Sequence, residues 1–157
     1  MHEMREAIEY ASEWYEYGRN SKDPTVRFVM YWIAFNWLYS EIEGDGDKWK
    51  IPEYCKKHHD RLSKYNAFGT QAYEDLVREP VMRMERTTVR ATNSYLNRRL
   101  REGTSEDPIA DLLLTIYQVR CNLFHGSKKR RNMRDGILVG ASATIMEGYL
   151  GKLLDLD

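Results

Sequence analysis

The chain has 157 residues, of which 42% are hydrophobic and 31% charged, and its 24 basic residues balance its 24 acidic residues. These values predict a single folded domain, residues 1–157, and they exclude a disordered chain or one that binds nucleic acid through its overall charge. The two cysteines, Cys55 and Cys121, are far apart in the chain, so they predict neither a disulfide framework nor a metal-ligand pair.

The first half begins with two helices. Apolar residues at helical spacing predict a first helix over Met4–Tyr15, with a stop at Gly18 and Asn20. Asp23-Pro24 is a typical helix start, because aspartate caps the free backbone N–H groups and proline fits the first turn. The helix that follows, to about Ile42, is apolar nearly all round and is therefore expected at the centre of the fold.

No segment of the sequence is typical of a membrane anchor or a secretion signal. The longest apolar run, 26–39, is shorter than the ~20 residues that a membrane crossing requires, and it contains Arg27 and Asn36. The N-terminal segment MHEMREAIEY lacks an apolar signal core. We therefore expect a soluble, cytoplasmic protein without membrane contacts.

Residues 43–103 form a more polar middle section, which we interpret as an elaboration of one bundle. After the loop at 43–47, helices are predicted over about Pro52–Tyr65 and Gln71–Arg78, and Pro80 interrupts the chain. The segment Met82–Arg101 is rich in arginine and is interpreted as a partly exposed helix. No segment of the chain is predicted as a strand.

The last third contains two further long helices. Asp107-Pro108 repeats the start pattern and predicts a helix over Ile109–Phe124 that stops at Gly126. The final helix is predicted over about 132–156, with small residues that permit close helix packing at Gly136, Gly140, Ala143, Thr144, Gly148 and Gly151. The fold class is therefore all-α, an up-and-down bundle of four long helices with short additional helices in the middle section.

The strongest candidate for chemistry is the segment YQVRCNLFHGSKK, in which His125 follows Arg120 by five positions. Arginine holds phosphate oxygens with a planar fork of donors, and histidine titrates near neutral pH, so it both accepts and donates protons. At 3.6 residues per turn, the two residues lie about 140° apart and flank one broad helix face. An ion pair between Arg120 and a carboxylate, with His125 as a favourable cation at a helix end, is the structural alternative.

Several neighbours support a site for an RNA backbone. Asn122 is a candidate for orienting a phosphate or a water molecule. The run Lys128, Lys129, Arg130 and Arg131 is a candidate RNA-binding segment, although such runs are usually only solvated surface. Asn36 is either a core amide with satisfied hydrogen bonds or a contact to the Arg120 helix. Tyr39 is interpreted as a core residue.

A metal site is not predicted. His58 and His59 are adjacent, so they project about 100° apart on a helix, and no further ligands cluster with them in the sequence. We expect neither a metal nor another cofactor.

The segment VRCNLFHGSK resembles the Arg-x4-His motif of HEPN domains, which are helical modules of prokaryotic toxins, defence systems and RNA-processing proteins. The helix that contains YWIAFNWLYS is similar to an early helix in one branch of that family. The resemblance covers about Met4–Tyr39 and Ile109–Leu154, and it leaves out the middle section. Family members often have a polar residue, commonly asparagine, after the arginine. Here Cys121 takes that place, and Asn122 is expected to take over its role.

The resemblance implies a HEPN-like bundle that forms a homodimer and cleaves RNA without a metal. Arg120 and His125 match the family's catalytic pair, and Asn122 and Asn36 are the expected supporting residues. A toxin with a partner antitoxin or inhibitor, or another hydrolase of defence or RNA processing, is the implied setting. Two alternatives remain open: a non-catalytic helical dimer that binds RNA, nucleotide or a partner protein, and a structural subunit that associates through its glycine-rich last helix.

Overall fold

The computed structural model describes residues 2–78, 81, 83–85, 88–90, 94–125 and 133–155, and these residues are mostly helical. The elements are α1 His2–Asn20, α2 Pro24–Tyr39, α3 Asp47–Lys57, α4 His59–Leu62, a 3-10 turn Ala67–Gly69, α5 Gln71–Val77, β1 Arg83–Glu85, β2 Thr88–Arg90, α6 Ser94–Glu102, α7 Pro108–His125 and α8 Met133–Leu153. The longest helices are α1, α2, α7 and α8. This confirms the predicted helical fold with four long helices and short helices between them, to which a two-stranded hairpin is added.

The connection between α1 and α2 follows the predicted capping chemistry. Asp23 accepts a hydrogen bond from the backbone N–H of Thr25 at 2.8 Å, and Pro24 occupies the first turn. The predicted stop at Gly18 and Asn20 is confirmed at Asn20, where α1 ends, and the helix continues through Gly18. Gly18 instead permits close packing. A Cβ atom there would lie 2.5 Å from Cε1 of Tyr31 on α2, so no larger residue fits.

Helix α2 lies at the centre of the bundle, as its apolar sequence predicts. It packs against α1 and α8, and it also contacts α3. Its buried residues are Phe28, Tyr31, Trp32, Ala34, Phe35, Leu38 and Tyr39. The helix ends at Tyr39, three residues before the predicted end at Ile42. In the described part of the chain, no helix combines the length and the apolar character that crossing a membrane requires.

The middle section is more divided than the sequence indicates. The helix predicted from Pro52 begins earlier, at Asp47, so Pro52 lies inside α3, and a break at His58 separates α3 from α4. The predicted helix from Gln71 is confirmed as α5. Thr70 caps it by accepting a hydrogen bond from the backbone N–H of Tyr73 at 3.1 Å.

The helix predicted over Met82–Arg101 is wrong in its first half. Arg83–Glu85 and Thr88–Arg90 form a short antiparallel hairpin in which Met84 is opposite Val89. Threonine and valine favour extended backbone. Pairing between β1 and β2 satisfies backbone hydrogen bonds that a helix would otherwise have supplied. The second half is helical as α6. It is attached to α7 by Arg99, which forms an ion pair with the buried carboxylate of Asp111 at 3.1 Å.

Helix α8 confirms the predicted close packing at one of its glycines. A Cβ atom at Gly148 would overlap the ring of Tyr65, whereas Cβ atoms at Gly136 and Gly140 would meet no atom of the described residues within 4 Å. Arg61 of α4 donates a hydrogen bond to the backbone oxygen of Leu153 at 3.1 Å, which satisfies a free carbonyl at the end of α8. Tyr65 and Arg61 therefore attach the middle section to α8.

Candidate functional site

Arg120 lies near the C-terminal end of α7, on the side of that helix that faces α2. Asp107 caps the start of the helix by accepting a hydrogen bond from the backbone N–H of Ala110 at 3.2 Å. Leu112, Leu113 and Ile116 anchor it in the core, where all three are fully buried. Arg120, in contrast, is half-buried. The rigid helix therefore presents a guanidinium group at the edge of the core.

The surroundings of Arg120 position the guanidinium without neutralising it. Its central carbon lies 4.6 Å from the centre of the Phe124 ring, a cation–π contact one turn further along α7. Nη1 points to the sulfur of Cys121 at 3.9 Å, and Nε is buried with no hydrogen-bond partner in the described part of the chain. Among the residues that the structure describes, no carboxylate forms an ion pair with Arg120. The structural alternative of an ion-paired arginine thus finds no partner there.

Two tyrosine hydroxyls lie within electrostatic range of Arg120. Burial, followed by a 2.6 Å hydrogen bond to Asp47, raises the pKa of Tyr39, and the positive charge of Arg120 opposes that rise. Burial and a hydrogen bond with the Cys121 thiol similarly raise the pKa of Tyr117, again against the charge of Arg120. Both phenols are therefore neutral at physiological pH. Neither phenol therefore supplies a negative charge to pair with Arg120.

A pocket of about 150 Å³ separates α2 from the end of α7, and Arg120 forms part of its wall. The other wall residues are mostly apolar: Phe28, Val29, Trp32, Ile33, Asn36, Leu123 and Phe124. Phe124 is 49% exposed and Asn36 is also exposed, so both stand at the mouth of the pocket. The arrangement combines an apolar cleft with a cation at its edge, which suits a ligand that has a flat apolar part and an oxyanion.

Asn36 is a wall residue of this pocket, and the interpretation of Asn36 as a core amide is wrong. Its side chain is exposed, and it lines the same cleft as Arg120, although the two residues are 84 positions apart. The alternative interpretation, a contact to the Arg120 helix, agrees with this placement. The interpretation of Tyr39 as a core residue is confirmed, because its side chain is fully buried.

Asn122 is not brought to the pocket. It is two positions after Arg120, about 200° further round the helix, and it accepts a hydrogen bond from Nε2 of Gln118 at 2.8 Å. Asn122 was expected to take the role of the polar residue that many family members have at the position of Cys121. The amide of Asn122 instead lies on a different side of α7 from the guanidinium of Arg120.

The remaining predicted site residues lie at or beyond the end of α7. His125 is the last residue of that helix, and its side chain lies outside the described residues. The basic run Lys128, Lys129, Arg130 and Arg131 also lies outside them, as does the predicted stop at Gly126.

Six apolar pocket residues were missed at the sequence level, namely Phe28, Val29, Trp32, Ile33, Leu123 and Phe124. Apolar residues at helical spacing have the same pattern whether they face a core or line a cleft. One usable indication was present. Asn36 continues the stripe of Phe28 and Trp32 at intervals of four residues, and a polar residue at the end of an apolar stripe marks the place where it reaches solvent.

The two adjacent histidines have structural partners. His58 shares a hydrogen bond with Glu41 at 2.6 Å and lies against the ring of Tyr54, and His59 contacts the hydroxyl of Ser63 at 3.2 Å. No group of three potential metal ligands occurs within the described ranges.

No protein-family model matches this chain, and neither a curated protein nor a solved structure matches it. Inference about function therefore rests on Arg120 and its pocket.

Proposed function

We propose that this chain is a metal-independent endoribonuclease of the HEPN type, in which Arg120 and His125 act on the RNA phosphate. The observation that carries the proposal is the state of Arg120. It is held by Phe124, and among the described residues no carboxylate is paired with it. A positioned guanidinium in a partly dry site is suited to the negative charge that develops in a phosphoryl transition state.

The proposed reaction is a transesterification. The ribose 2′-oxygen attacks the phosphorus atom, the bond from phosphorus to the 5′-oxygen breaks, and a 2′,3′-cyclic phosphate remains. His125 accepts the 2′-hydroxyl proton or donates a proton to the leaving 5′-oxygen, and His125 of a second chain supplies the other transfer. Arg120 binds the non-bridging oxygens. The HEPN-type helix arrangement, the homodimer and an antitoxin or inhibitor partner belong to this proposal.

The test is incubation of labelled RNA with purified protein in EDTA, with analysis of the product ends. We expect wild type to cleave and to leave cyclic phosphates, and His125→Ala to have no activity. His59→Ala is the matched control, because His59 is exposed on α4 and does not line the pocket. An RNA with a single 2′-deoxy nucleotide at the cut position should resist cleavage, since it lacks the attacking hydroxyl.

Two results would contradict the proposal. Equal cleavage by His125→Ala would show that the activity belongs to a contaminant or to other residues. RNA binding by wild type without turnover, under conditions in which the dimer is intact, would favour the alternative of a non-catalytic helical module.

A further inference from the structure

The walls of the pocket between α2 and α7 indicate what kind of group it holds. Ile33, Leu123 and Phe124 supply the accessible apolar surface. In the described residues Asn36 and Arg120 are the polar members of the wall. Phe28 and Trp32 are almost fully buried, so helix packing fixes this part of the wall. A cleft with fixed apolar walls selects its ligand by size and shape.

The volume favours a single six-membered ring. An apolar cavity of about 150 Å³ accommodates a benzene molecule, and this pocket has the same volume. A fused two-ring system is larger than this volume, so a single ring fits the pocket better. Size therefore separates pyrimidines from purines.

The polar groups specify the rest of the ligand. The exposed amide of Asn36 both donates and accepts hydrogen bonds, as the edge of a nucleobase requires. Arg120 is placed to bind a phosphate attached to the same nucleotide, with its position fixed by the Phe124 ring. A pyrimidine ring, a hydrogen-bonding edge and an adjacent phosphate together describe one nucleotide.

We infer that the pocket binds the pyrimidine base of the nucleotide next to the phosphate held by Arg120, with Asn36 bound to the edge of the base. This inference rests on the proposed ribonuclease function. It gives the enzyme a preference for cleavage beside uridine or cytidine.

Calorimetric titration of the full chain with mononucleotides tests the binding separately from cleavage. We expect 3′-UMP to bind at least about tenfold more tightly than 3′-AMP, inorganic phosphate or benzoate, a difference of about 1.4 kcal/mol. Asn36→Ala should weaken 3′-UMP binding and leave phosphate binding unchanged, with Asn20→Ala as the matched control on the exposed end of α1. Ile33→Trp should fill the pocket and abolish the preference, whereas Val26→Trp, at an exposed position of α2 outside the pocket, should not.

The possible outcomes separate this inference from the function on which it rests. Selective 3′-UMP binding without RNA cleavage supports the base pocket and contradicts the ribonuclease. Cleavage that is equal at all four nucleotides and unchanged in Asn36→Ala overturns the base pocket and leaves the ribonuclease standing. Binding of 3′-UMP no tighter than that of phosphate, or matched by benzoate, also overturns it.

Discussion

Cζ of Arg120 lies over the ring of Phe124, 4.6 Å from its centre, and the two residues are one turn apart on α7. A flexible arginine is thereby held in one orientation before any ligand arrives. The same ring stands at the mouth of the pocket, so one residue both orients the cation and borders the binding space.

Arg120→Lys should reduce RNA cleavage by about 10²–10³-fold, as expected when a donor to the transition state is lost. Lysine keeps the charge but cannot bind two phosphate oxygens in the planar geometry of arginine. Single-turnover cleavage in EDTA measures the effect. Arg98→Lys is the matched control, because Arg98 is exposed on α6. Equal losses in the two variants would remove Arg120 from the proposed mechanism.

Tyr31→Phe should lower the free energy of unfolding by about 1–3 kcal/mol. The hydroxyl of this buried tyrosine donates to Glu147 at 2.6 Å, and Arg27 donates to the same carboxylate at 2.8 Å, which ties α2 to α8. Urea unfolding of Tyr31→Phe, Glu147→Gln and the double variant should give non-additive losses.

Glu16→Gln serves as the control for that series. Glu16 forms an ion pair with Arg19 on α1, and both side chains are about half exposed, so its loss should change stability by less than about 1 kcal/mol. Additive effects of Tyr31→Phe and Glu147→Gln would show that the two residues stabilise the fold independently.

The protein should unfold cooperatively in alkali. Burial, followed by the hydrogen bond to Glu147, raises the pKa of Tyr31 to about 12, and burial also raises the pKa values of Tyr39, Tyr54, Tyr117 and Tyr149. An unfolded tyrosine ionises near pH 10. The stability that these neutral phenols contribute is therefore complete below about pH 10 and is lost as the pH rises through 12.

Circular dichroism and phenolate absorbance, followed together against pH, measure that transition. We expect part of the absorbance of the 11 tyrosines to appear in the same step as the loss of helix. Ionisation of all of them near pH 10 with the helix content retained would contradict the prediction.

Two glycines of α8 should respond oppositely to alanine. Gly148→Ala should destabilise the protein by about 1–3 kcal/mol, because the new methyl group overlaps the ring of Tyr65. Gly140→Ala meets no atom of the described residues within 4 Å and should stabilise the helix by up to about 1 kcal/mol. Thermal unfolding compares the two, and Tyr65→Leu should relieve the Gly148→Ala defect. A stabilised Gly148→Ala would show that Tyr65 moves away at little cost.

The sequence predicts best those structural features that depend on residues next to each other in the chain. Asp23-Pro24 and Asp107-Pro108 each start a helix within one residue of the expected place, because an N-cap is satisfied by its own chain. The hairpin at 83–90 was missed for the opposite reason. Its stability depends on pairing between strands of three residues, too short to show an alternating pattern.

The candidate site also contains one part that local sequence predicts and one part that depends on residues distant in the chain. The motif identifies Arg120, since its chemistry is a property of the residue itself. The pocket lies between α2 and α7. Asn36 and Arg120 are 84 positions apart in the chain, and only the fold shows that they line the same pocket. Asn122 was assigned to the same region from its nearness in sequence, but helical geometry turns it away.

The attachment of the middle section to α8 has a consequence for how the chain is made. Helices α4 and α5 pack on α8, and Arg61 caps its end, yet α8 is synthesised after both of them. Leu62 and Leu76 therefore have no complete apolar surroundings until α8 has left the ribosome. A nascent chain that stalls before residue 133 exposes these side chains. We expect chaperones and proteases to recognise this stalled chain before other forms of the protein, because it exposes apolar side chains.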